Sequence, residues 1–129
     1  MEKQLISLLI GTKGQTIDVQ AHVYGKLAVH FTAGLSIGVS HIKSGCSVGE
    51  FGDWNDASDF AQKADKLMDF DEYTNSIISI GLDKTIELYQ GQYQAVRQLR
   101  ATYSSYDAWG EGNRGVPSKK LLKNRMATS

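Results

Sequence analysis

Three tyrosines and two arginines fall within one short stretch, YQGQYQAVRQLRATY, residues 89–103. Tyr89, Tyr93 and Arg97 lie at successive fourth positions, with Arg100 and Tyr103 one turn on, so a helix here would bring all five to one side. Tyrosine faces can stack a purine and arginine forks can take phosphate oxygens. These five residues therefore form a candidate site for a small anionic, nucleotide-like ligand. The same stretch also has a structural reading. Leu82, Ile86, Tyr89, Tyr93, Val96, Arg100 and Tyr103 alternate spacings of four and three, the pattern of a helix seam. A second stripe, Ile77, Ile80, Leu88, Ala95 and Leu99, lies about 100° round the same helix. Two apolar stripes exceed what one small sheet needs, which points to a homo-oligomer joined through this helix.

Other chemistry-bearing residues give weaker patterns. His22 and His30 are expected on the polar face of adjacent strands and His41 on the other face, so no metal site is expected, and their spacing fits no zinc signature. Serine, histidine and aspartate are all present, but no nucleophile elbow orders them. GTKGQT, residues 11–16, lacks the Walker spacing and reads as a hairpin turn. No cofactor is implied, and a non-enzymatic protein is expected. The last twenty residues hold Arg114, Lys119, Lys120, Lys123 and Arg125 against Glu111, a basic arm suited to phosphate contact or to an acidic neighbour. The arm carries no aromatic side chain for base stacking.

The elements that must position these residues follow from periodicity and punctuation. Segments near 4–10, 15–24, 26–33, 35–43 and 46–51 are rich in Ile, Val, Leu, Phe and Thr, with glycine at each break. They read as a five-stranded antiparallel meander. Three-residue loops at Tyr24-Gly25-Lys26 and Ala33-Gly34-Leu35 would set Ile17, Val19, Ala21, Val23, Leu27, Val29, Phe31, Ile37 and Val39 on one face. That face needs a lid. Asp53 is a good N-cap, and Ala57, Phe60, Ala61, Ala64, Leu67 and Met68 recur at helical spacing, giving an amphipathic helix over 54–68. Residues 53–72 carry seven acids against Lys63 and Lys66, read as a solvated outer face. A long helix is expected over 72–104. At about 1.5 Å per residue it would run roughly 50 Å, too long for so small a globule unless it breaks at Gly81 or Gly91 or overhangs.

The chain of 129 residues suits one α+β domain over 1–109 (sheet 4–51, two helices) and a glycine-rich basic tail over 110–129. Hydrophobic residues at 41% and charged residues at 22% describe an ordinary globular composition, and formal net charge is zero, which argues against a wholesale nucleic-acid coat. A lone cysteine, Cys46, and the lack of a long apolar run lead to the expectation of a cytoplasmic protein with no membrane segment. The function this architecture leads us to expect is binding: occupying a partner protein or sequestering a small ligand. Accessory proteins of phages and mobile elements that counter host defence offer an analogy of size and architecture. The alternative is a nucleic-acid-associated accessory protein acting through the basic tail.

Overall fold

The computed structural model describes residues 3–10, 14–32, 34–103, 105–106 and 118–127. Strands β1 (Lys3–Ile10), β2 (Gln15–Tyr24), β3 (Leu27–Phe31), β4 (Ile37–His41) and β5 (Ser47–Phe51) follow one another as an antiparallel meander. A two-residue strand, β6 (Ser105–Tyr106), extends the sheet beyond β5. Helix α1 (Trp54–Leu67) comes next, capped by Asp53, whose carboxylate accepts from the Asp56 N–H at 3.1 Å. The α+β class, the meander and the amphipathic helix are as the sequence leads one to expect.

The register of β2 is not. His22 pairs with Val29, Val23 with Ala28 and Tyr24 with Leu27, so Gly25 and Lys26 alone form the turn. A turn shorter by one residue turns every side chain of β2 to the other face. His22 and Tyr24 therefore share the helix-covered face with Leu27, Val29, Ile37 and Val39, while Val19, Ala21 and Val23 turn away. The physical reason is the turn itself. Gly25 sits at φ +62°, and a Cβ there would lie 2.0 Å from Asp65 Oδ2. Only glycine turns this tightly against α1.

Apolar side chains are buried on both sides of the sheet. On the helix side, Leu27, Val29, Ile37, Val39, Val48 and Phe51 meet Ala57, Phe60, Ala61 and Ala64 of α1. On the other side Ile6, Leu8, Ala21 and Ala28 form a smaller cluster with Val19 and Ile42. Each fully buried Val, Leu, Ile or Phe among these contributes about 1.5–3 kcal/mol. Opposite the Val39–Ser40 step of β4, β5 carries one extra residue, Val48, a bulge that bends β5. The Leu9 N–H donates to Gly45 O at 3.0 Å, which brings β1 against the β4–β5 turn.

The expected long helix is three segments: α2 (Phe70–Ile80), α3 (Leu82–Leu88) and α4 (Gln90–Ala101). The first break is at Gly81, whose φ of +90° ends α2. The second is at Tyr89, at φ −103° and ψ 26°, and Gly91 lies inside α4. Ser76 Oγ and Thr85 Oγ1, 2.8 Å apart, fasten α2 to α3 across the first break. Folding back lets α4 lie on α1, so the stretch does not overhang. Helix α5 (Lys119–Ala127) packs on α2.

Candidate functional site

The tyrosine–arginine stripe starts at the break and runs along α4, and its residues fall into two groups by what they touch. In the first, Tyr89 meets Tyr73 of α2 edge to face, ring centres 5.6 Å apart, and the Arg97 guanidinium lies 5.8 Å from the centre of the Tyr93 ring. Burial beside Tyr93 pushes the Tyr73 hydroxyl well above its ordinary pKa. In the second, Arg100 is only 6% exposed, its Nη1 donating to Val48 O at 3.4 Å and its stem lying against Gly49. Tyr103 packs edge-on against Phe51 and Phe60 and donates to an Asp59 carboxylate oxygen. That carboxyl is held below its usual range by Tyr103 and then by Lys63. Arg97 and Arg100 thus have different surroundings.

At the seam positions the stripe packs largely within its own chain. Val96 is fully buried in the main core, and Tyr89, Tyr93, Leu99 and Tyr103 pack against that core. Leu82 and Ile86 are half-buried. In the second stripe, Ile80 and Leu88 stay exposed.

A polar constellation that the sequence did not disclose joins three turns. His41, at the end of β4, is buried, with Nε2 2.6 Å from Asp71 Oδ1 and Nδ1 2.8 Å from Ser44 Oγ. A carboxylate can only accept, so Nε2 carries the proton and Nδ1 accepts from the Ser44 hydroxyl. The Cys46 N–H in turn donates to Ser44 Oγ at 3.2 Å. Lys26 reaches Asp69 at 2.7 Å and Asp71 at 3.7 Å, and Lys43 reaches Asp71 at 3.4 Å. The Lys26 N–H donates to Asp65 Oδ1 at 3.0 Å. Asp65, Asp69 and Asp71 therefore do not belong to a merely solvated acidic face. They tie the β2–β3 and β4–β5 turns to α1 and α2.

Desolvation holds His41 below its ordinary pKa despite Asp71, so the ring is neutral. Burial raises the Asp71 pKa, but the bond from His41 and the two lysines outweigh it and keep the carboxyl below its usual range. Ser44, His41 and Asp71 have the composition of a hydrolytic triad, yet Ser44 is 1% exposed and accepts a backbone N–H. A nucleophile must reach its substrate. The chain of bonds is a clamp.

The histidines stay apart, on both faces of the sheet. His22 stands edge-on to Trp54 at 5.1 Å, on the helix-covered face with His41. His30 is buried on the other face. Its Nδ1 donates to Phe31 O at 3.0 Å, so Nε2 accepts from Ser40 Oγ at 2.8 Å. Gly38 makes room for this ring, since a Cβ there would lie 2.6 Å from His30 Cε1. Burial pushes the Cys46 thiol up, away from the reactive thiolate form.

Of the basic arm, Arg114 lies outside the described residues. Lys119, Lys120 and Lys123 are exposed on α5. Arg125 is turned inward, its guanidinium donating to the Ser7 hydroxyl at 3.1 Å and to the Ser7 carbonyl. Leu122 beside it is buried.

The exposed apolar residues include a group at the β3–β4 hairpin. Leu35 is 95% exposed and adopts φ +64°, in the left-handed region that costs a leucine about 1–2 kcal/mol. Phe31, 68% exposed, lies 5.0 Å from Trp54. No known family model, curated protein or solved structure matches the chain.

Proposed function

We propose that this protein acts by binding rather than catalysis, occupying a partner protein through the β3–β4 hairpin tip. The observation that carries the reading is Leu35. A branched side chain held at positive φ and left in water has no account in the packing of this chain. Phe31 and Trp54 supply the neighbouring aromatic anchors, residue types that dominate interface energetics. The residues that connect Phe31 to Ser36 carry no charge, which lowers the desolvation cost of inserting the tip into an apolar cleft. A projecting anchor suits an inhibitor that fills a cleft on a larger protein, the mode expected of an accessory protein that blocks a host defence factor.

The test is affinity recovery from native cells with the unaltered chain, Leu35→Asp and Phe31→Asp side by side, each verified as folded by circular dichroism. One protein should be recovered by the unaltered chain and lost from both variants, with direct binding reproduced from purified components. Equal recovery by all three, or no recovery by any, would sink the reading.

A further inference from the structure

We propose that Thr32 and Ser36 are positioning residues for the hairpin tip: their hydroxyls hold Leu35 in the left-handed conformation in which it meets a partner. The inference rests on the reading of the tip as a binding anchor. The Thr32 N–H donates to Ser36 O at 3.0 Å, so these two residues bracket a three-residue loop, and the Leu35 N–H closes a turn on Thr32 O at 3.3 Å. The third residue of such a loop takes left-handed backbone, and glycine is the residue suited to it. Here the glycine, Gly34, stands one place early, and Leu35 occupies the strained position at φ +64°. A leucine left to itself favours the right-handed region, so its surroundings must over-determine this conformation.

Two side-chain contacts do so. The Ser36 N–H donates to Thr32 Oγ1 at 3.2 Å, and Thr32 Oγ1 lies 2.6 Å from Ser36 Oγ. That N–H belongs to the peptide that follows Leu35, so its direction turns with the Leu35 backbone. Rotation of Leu35 into the right-handed region swings the donor away from Thr32, and the bond therefore favours the left-handed form. Thr32 is itself held in place. It is branched at Cβ and stiff about χ1, and its methyl carbon lies 3.0 Å from where a Cβ on Gly38 would stand, a seat that only the missing side chain provides. Ser36 is 7% exposed, whereas Leu35 above it is 95% exposed. The clasp thus lies beneath the anchor and acts on binding through Leu35. A tip that sampled other conformations would bind more weakly in proportion to the time spent in them.

The experiment uses the full chain, unaltered and as Thr32→Val, Thr32→Ser and Ser36→Ala, each verified as folded by the dispersion of its sheet amide signals in NMR. A strong NOE between the amide and α protons of Leu35 marks its positive φ. It should be present in the unaltered protein and in Thr32→Ser, which keeps the hydroxyl, and weakened in Thr32→Val, which does not. Ser36→Ala keeps the N–H bond and should show a smaller loss. Affinity is then measured for the purified protein that the unaltered chain recovers from native cells. Thr32→Val should bind it about threefold to tenfold more weakly, and Thr32→Ser should bind it as the unaltered chain does. An unchanged Leu35 signal in Thr32→Val overturns the clasp whatever the partner does. A weakened signal with unchanged affinity overturns its role in binding and leaves the anchor reading standing. Equal recovery of the partner by Leu35→Asp sinks the anchor reading, and the role proposed for Thr32 and Ser36 in binding falls with it.

Discussion

His41 donates through Nε2 to Asp71 Oδ1 at 2.6 Å, joining the end of β4 to the first turn of α2 across thirty positions of sequence. With Lys26 and Lys43 on the same carboxylate, this bond holds two turns of the sheet to the helical layer. Asp71→Ala leaves the buried His41 N–H without its acceptor and should cost about 1–3 kcal/mol. Asp71→Asn keeps an acceptor in place and should cost less. Urea denaturation midpoints at neutral pH check the order.

Stability should fall as pH drops through 6.5, the ordinary histidine value. His30 and His41 are both held below it by burial, so the unfolded chain binds the protons first. The stabilisation is complete above 6.5 and is lost on acidification, at up to about 1.4 kcal/mol per pH unit for each histidine. Asp71 and Asp69, held below 3.8, do not contribute to the loss until pH falls under that value. Denaturation midpoints measured across this range should show the early loss, and His41→Gln should roughly halve its slope.

Gly25→Ala should destabilise by more than about 2 kcal/mol, since the added methyl meets the Asp65 carboxylate and the backbone stands at φ +62°. In an Asp65→Ala background the clash is gone and only the backbone strain of about 1 kcal/mol remains. A double-mutant cycle by thermal melts should therefore be strongly non-additive.

Leu35→Gly should raise stability by about 0.5–1 kcal/mol, because glycine accepts φ +64° without strain and the side chain it removes is almost wholly in water. A higher midpoint combined with loss of the partner would separate the anchor's role in binding from any role in folding.

Arg100→Ala should cost about 2 kcal/mol through lost packing against Gly49 and the lost bond to Val48 O. Arg100→Met, which keeps the stem, should recover part of this. Equal midpoints for all three proteins would show that the guanidinium and its stem do not support the fold.

Periodicity and glycine punctuation made the strands and the first helix legible: α1 runs over 54–67 where 54–68 was expected. The faces of β2 were not, because Gly25-Lys26 and Tyr24-Gly25-Lys26 are equally plausible turns in sequence and differ by one residue. What decides between them is Asp65, forty positions away. The clamp was hidden for the same reason. Ser44, His41 and Asp71 are ordinary residues in a row of letters, and only the docking of α2 against the β4–β5 turn brings the third to the other two. The stripe of tyrosines was visible, but a helical pattern of fours and threes does not say whether it meets its own core or another chain. The break at Tyr89 leaves no residue-type signal, since the glycine that invited one stands two positions on, inside α4.

The meander also sets a timetable. Strands β1 to β5 occupy residues 3–51, whereas the side chains that cover Leu27, Val29, Ile37 and Val39 come from residues 57–96. At about 5–20 residues per second of synthesis, the covering layer is completed roughly 2 to 9 s after the sheet. Every hairpin in that sheet closes between sequence neighbours, so it can form as it leaves the ribosome, ahead of its lid. The nascent chain thus displays a bare aliphatic strip for seconds, and that interval is when a holding chaperone would meet it.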